Sequence, residues 1–90
     1  MKYIKVHWVH DFVDEPEMLY SEIDSHDNEV RKVEVFKDGS MGYAKEGLSH
    51  RSKLAECEMP SMAEIAEDEQ FKPEAIDSTE FDEIWKKSQR

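Results

Sequence analysis

The feature that most constrains this chain is the two-residue alternation running through its first half, punctuated by an Asp38-Gly39 pair. Ile4, Val6 and Trp8 share one face of a segment from Lys2 to His10 that is rich in β-branched and aromatic residues, the signature of a half-buried strand. The stretch Asp11 to Glu17 interrupts it, because its carboxylates repel and Pro16 cannot donate to a ladder. Met18 to Asp24 alternates again, with Leu19, Ser21 and Ile23 opposed to Met18, Tyr20 and Glu22. Ser25 to Asn28 is turn chemistry. Glu29 to Lys37 is a third strand, with Arg31, Val33 and Val35 on one side. Asp38-Gly39 predicts a two-residue hairpin with positive φ, leading into a fourth strand over Met41 to Ala44.

The period then changes. Residues 45 to 60 have none, so they are expected to form a long loop, functional or hiding a short strand near Lys53 to Glu58. Ser61 and Glu64 have capping-box spacing, and Met62, Ile65 and Ala66 follow on one helical stripe. Pro73 is expected to separate this helix from a second, capped by Asp77 or Ser78, with Phe81, Ile84 and Trp85 on one face. The predicted architecture is α+β: a four-stranded antiparallel meander with two C-terminal helices packed on one face. It is one domain over 1–90, comprising a meander (1–44), a loop (45–60) and a helical region (61–90).

Charge narrows the partners. The chain carries net −10 at pH 7. Residues 1–53 hold 11 acidic and 8 basic groups, net −3, and residues 54–90 hold 11 and 4, net −7. Such a surface repels phosphate backbones and anionic headgroups, so neither nucleic acid nor membrane is expected as a partner. Cys57 is the only cysteine, which rules out an internal disulfide. Charges interrupt every apolar stretch near Met1, as they would not in a secretory signal, and a cytoplasmic location is expected.

Several strings together carry a resemblance. The opening Lys2-Tyr3-Ile4-Lys5-Val6-His7-Trp8-Val9-His10-Asp11-Phe12 resembles the start of a family of small, acidic, uncharacterised bacterial proteins. Leu19 to Asp24, Glu29 to Phe36, Asp38-Gly39, Gly42 to Ala44, Met59 to Met62 and Glu80 to Trp85 are similar to later parts of it. The resemblance spans nearly the whole chain and assigns no catalytic or binding residue. What it implies is the role such small acidic domains often take, as inhibitors or immunity partners of toxins.

Among candidate constellations, His7, His10 and Asp11, with Asp14 and His26 as helpers, form the most metal-like string. The odd offset sends His7 and His10 to opposite faces of a strand, so no metal or cofactor is expected. Cys57 with His50 lacks a third orienting group, and three isolated glycines cannot cradle a phosphate. No catalytic residue is therefore assigned. The favoured expectation is a non-enzymatic protein-binding domain, an inhibitor or immunity protein covering a basic surface such as a nuclease groove. Asp14, Glu15, Glu64, Glu67 and Asp68 would occupy phosphate positions there, with Tyr20 and Tyr43 as anchors. The alternatives are a small metal-dependent module or enzyme using His7, His10 and Asp11, and a structural module dimerising through an exposed strand. A monomer or weak homodimer is expected.

Overall fold

The computed structural model describes residues 1–90. Six strands form one antiparallel sheet: β1 (Lys2–Trp8), β2 (Pro16–Ile23), β3 (Glu29–Phe36), β4 (Met41–Lys45), β5 (Leu48–His50) and β6 (Phe71–Ile76). Their order across the sheet is β5-β4-β3-β2-β1-β6. Helix α1 (Met62–Ala66) precedes β6, and α2 (Ser78–Ser88) follows it. The first four strands lie where the alternation places them. The expectation of four strands and two helices on one face is wrong at three points, each with a physical cause.

The first is Pro73, which does not separate two helices but sits inside β6, opposite Val6. The Val9 amide donates to the Gln70 carbonyl at 2.8 Å. Counting in twos from that bond makes Val6 and Pro73 a non-hydrogen-bonded pair, so the N–H that proline lacks would have pointed outward from the edge. Phe71, Pro73 and Ala75 then face the same way as Trp8, Val6 and Ile4. The helix stripe thus stops after five residues, at Ala66.

The second is the loop. A short strand does occur there, but at Leu48–His50, hairpinned to β4 through Gly47 at φ +80°. Residues 51–60 then run as an extended strap across one face. Lys32 Nζ donates to the Lys53 carbonyl at 3.0 Å, the Ala55 amide to Glu29 Oε1 at 2.8 Å, and the Met59 amide to the Asp27 carbonyl at 2.7 Å. Ser52 Oγ also bonds Glu34. Side chains and one isolated backbone bond, not a ladder, hold the strap, which is why it shows no period.

The third is the placement of the helices. Ile65 of α1 packs with Ile4, Val6, Ile23, Leu19, Met59 and Phe71. Phe81 of α2 packs on Tyr3, ring centroids 5.6 Å apart, beneath the Arg31 guanidinium. Ile4 and Tyr3 are neighbours on β1 and point to opposite faces. The helices therefore cover opposite sides of the sheet, and each side has its own small core. One is built around Ile4, Val6 and Ile23; the other around Val33 and Phe81.

The N-terminus of α2 is capped by Asp77, one of the two residues expected there, which accepts from the Glu80 amide at 2.8 Å. The β3–β4 hairpin is a three-residue loop and not the two-residue turn expected from Asp38-Gly39: Phe36 and Ser40 still pair, and only Gly39 (φ +87°) is left-handed. Gly42 is required for a different reason. A Cβ there would stand 3.0 Å from the carbonyl oxygens of both His50 and Arg51, backbone atoms that cannot swing aside. Gly42→Ala is expected to cost about 1–3 kcal/mol. Chemical denaturation measures the loss, and faster amide exchange in β5 would locate it.

Candidate functional site

One end of the sheet is not finished as the rest is. Trp8 closes β1 opposite Phe71, their rings 5.6 Å apart. The chain then turns back over the indole: His10 lies 4.3 Å from it and Phe12 stacks on His10 at 5.3 Å. The Phe12 amide donates to His10 Nδ1 at 2.9 Å, so the ring proton is on Nε2, which donates to the Pro16 carbonyl at 2.8 Å. Lys37 Nζ holds the His10 carbonyl at 2.6 Å. These bonds fix a loop whose outermost residues are apolar: Phe12 is 57% exposed and Val13 81%. Beneath them the Trp8 indole N–H is shut off from solvent with no acceptor. A buried unpaired donor costs about 1–3 kcal/mol. Exposed apolar groups over an unsatisfied one mark an end of the molecule not optimised for its own stability.

Carboxylates flank this ridge on two sides. Asp11, Asp14 and Glu15 are exposed within the loop itself. Across the β1–β6 pair, Asp68 lies in the turn after α1, its carboxylate accepting from the Gln70 amide at 3.0 Å, and Glu67 and Glu69 are its exposed neighbours. The Val9–Gln70 bond brings the two segments to the same end of the sheet. Two charge runs far apart in sequence thus lie exposed at the same end of the sheet as the apolar tip, with Lys37 and Arg51 as the cations beside Val13 and Asp14.

The seven residues expected to bind a partner divide accordingly. Asp14, Glu15, Glu67 and Asp68 come together at this end. Glu64 is drawn into the α1 capping box, its amide donating to Ser61 Oγ at 3.2 Å and its carboxylate accepting from that hydroxyl at 3.1 Å. Tyr20 and Tyr43 lie on the α2 side instead. Tyr20 is half-buried opposite Lys5, and burial pushes its hydroxyl above the ordinary value. Tyr43 lies under Trp85 in an edge contact, centroids 5.9 Å apart, and beside His50. Phe12, Val13 and Trp8 were not in the expected set. Their signal was available: two adjacent apolar residues inside an otherwise acidic stretch.

The metal-like string is dispersed. His7 points to the α2 side, between Met18 and Lys72, whereas His10 has both ring nitrogens engaged beyond the strand end. His26 is in the β2–β3 turn, its amide donating to Asp24 at 2.8 Å. No three His, Cys, Asp or Glu side chains converge. Cys57 is exposed in the strap, and His50 packs on Tyr43.

Fold and surface together define a small acidic α+β domain, a six-stranded antiparallel sheet covered by a short helix and strap on one side and a longer helix on the other. The chain belongs to a family described as a domain of unknown function (DUF6881), which matches residues 2–90. No curated protein and no solved structure matches it. No helix is long and apolar enough to cross a membrane.

Proposed function

We propose that this is a protein-binding domain whose acidic, aromatic-centred end covers a basic surface of a partner protein, as an inhibitor or immunity protein covers a nuclease toxin. The observation that carries the reading is the Phe12–Val13 tip, exposed on a hydrogen-bonded loop with Asp11, Asp14 and Glu15, while Glu67 and Asp68 stand exposed on the segment that the Val9–Gln70 bond ties to the same end of the sheet. An apolar anchor inside a charged rim is the usual division of labour at an interface: the centre supplies affinity, and the rim supplies steering and register. Carboxylates on a rigid loop suit a surface that otherwise binds phosphates, and the net −10 favours rapid encounter with such a surface.

The two parts of the site predict separable effects on a partner recovered from the native host. Phe12→Ser with Val13→Ser is expected to weaken binding by about 30-fold or more, the ~2 kcal/mol of an anchor residue. Neutralising Asp14, Glu15, Glu67 and Asp68 together is expected to slow association and flatten its salt dependence while leaving dissociation nearly unchanged. Binding that is indifferent to both sets of changes, at low and at high salt, would refute the proposal.

A further inference from the structure

On the opposite side of the molecule from α2, the strap and α1 leave open a groove of about 320 Å³ against the sheet. Its walls are Val6, Leu19, Met59, Pro60, Ile65 and Phe71, and its floor is Ser21, Glu29 and Lys32. That floor is polar, built and electrically balanced. The Glu29 side chain is 0% exposed. Its Oε2 accepts from Ser21 Oγ at 2.6 Å, and its Oε1 accepts from the Ala55 amide at 2.8 Å and pairs with Lys32 Nζ at 3.2 Å. Lys32 Nζ donates to the Lys53 carbonyl at 3.0 Å.

What remains unused at the floor defines a ligand. An ammonium has three donors, and the one hydrogen bond that Lys32 makes goes to the Lys53 carbonyl, so beyond its ion pair with Glu29 it keeps donor capacity. Ser21 has spent its proton on Glu29, and its oxygen still accepts. A hydroxyl satisfies both, accepting from Lys32 and donating to Ser21. An ionised head does not fit, because the Glu29–Lys32 pair already cancels and a third charge would be buried uncompensated. At the roughly 30 Å³ that one water occupies in the liquid, the groove has room for about ten non-hydrogen atoms. Its size falls at the small end of ligand sites, which are apolar clefts with a few fixed polar groups.

We infer that this groove is a binding site for a small neutral amphiphile, an aliphatic chain of about six to eight carbons ending in a hydroxyl. The site uses none of the carboxylates of the acidic end, although its Phe71 contacts Trp8 there. The chain lies between Leu19, Ile65 and Phe71, and the head reaches Ser21 and Lys32.

The probes are 1-pentanol, 1-hexanol, 1-heptanol, heptanoate and heptylammonium, titrated into the full chain and followed by NMR at the methyl groups of Val6, Leu19, Met59 and Ile65. The alcohols are expected to give saturable shifts confined to those methyls, tightening about fourfold per added methylene. Heptanoate and heptylammonium are expected to bind at least tenfold more weakly than 1-heptanol. Leu19→Phe fills the groove and is expected to weaken 1-heptanol at least tenfold; Ile65→Phe, at the rim, serves if that variant does not fold. Four results would overturn the inference: no saturable shift, equal binding of the charged heads, shifts centred on Phe12 and Val13 instead, or groove shifts that grow with protein concentration alone, which would mean that a second copy fills it. Partner capture by the acidic end is expected to be unchanged in Leu19→Phe.

Discussion

Phe81→Ala is expected to remove about 3–5 kcal/mol of folding stability, the usual cost of deleting a fully buried phenylalanine from a core that cannot collapse into the gap. A chain of this length has about 5–13 kcal/mol to lose. Phe81 is 0% exposed and is one of the two largest fully buried side chains, the other being Val33. Its ring meets Tyr3 at 5.6 Å, and the Arg31 guanidinium lies 4.9 Å above it. The neighbours are strand residues held in register on both sides, so they cannot close the hole. Urea denaturation followed by circular dichroism would read the loss. A destabilisation below about 1 kcal/mol would show that α2 is not anchored through this residue. Its effect on the strap face, monitored through the Ala55 and Met59 amides, is expected to be small, because the sheet separates the two cores.

The second large effect is expected at Arg31. Its guanidinium grips Glu22 with two bonds, 2.6 and 2.9 Å, and reaches Asp82 on α2 at 3.0 Å, while lying over Phe81 and Trp85. Glu22 is only 10% exposed at its side chain. Arg31→Met keeps the packing of the stem but strands that carboxylate, and is expected to cost about 3–5 kcal/mol. The double variant Arg31→Met, Glu22→Leu is expected to recover most of the loss, since two matched apolar groups replace a pair whose desolvation is expensive. The Asp82 arm is half exposed at 51%, and removing it alone should cost less than about 1 kcal/mol. If the single and double variants are equally unstable, the pair is not what holds this junction.

The same pair sets an acid limit. Arg31 beside Glu22 holds that carboxyl below the usual glutamate range, and the carboxylate in turn pushes the Tyr3 hydroxyl above its ordinary value. A carboxyl whose folded-state value is depressed contributes its stability fully above the unfolded value, about 4.3. That contribution fades as pH falls through the folded value. Stability is therefore expected to decline below about pH 4.5, and Arg31→Met is expected to flatten that decline, as the midpoint of urea unfolding across the acid range would show.

How much of this was legible in the residues differs by element. β1 to β4 were, because an apolar period of two is written directly into Ile4-Val6-Trp8 and Val33-Val35, although the alternation does not say that both faces of the sheet are covered. The α2 stripe of Phe81, Ile84 and Trp85 was legible for the same reason at a different period, as was the Ser61–Glu64 cap. β6 was not: Phe71-Lys72-Pro73-Glu74-Ala75-Ile76 carries a proline that central strands forbid and an edge tolerates, and nothing local says which it will be. The strap was invisible because its partners, Glu29, Lys32 and Asp27, lie 21 to 32 residues away in the chain. Four of the seven expected partner residues came together, and the two tyrosines did not, because strand parity assigned them to the face that α2 covers.

By itself, then, the amino-acid order determined the local elements and the surplus of negative charge, since both follow from side chains and their near neighbours. Tertiary structure decided which edge of the sheet β6 would join, which side each helix would cover, and that the acids of residues 11–15 and 67–69 would lie at the same end of the sheet. Those choices depend on contacts between segments distant in sequence, where burial and hydrogen-bond satisfaction of the whole molecule select among pairings that every local pattern leaves open.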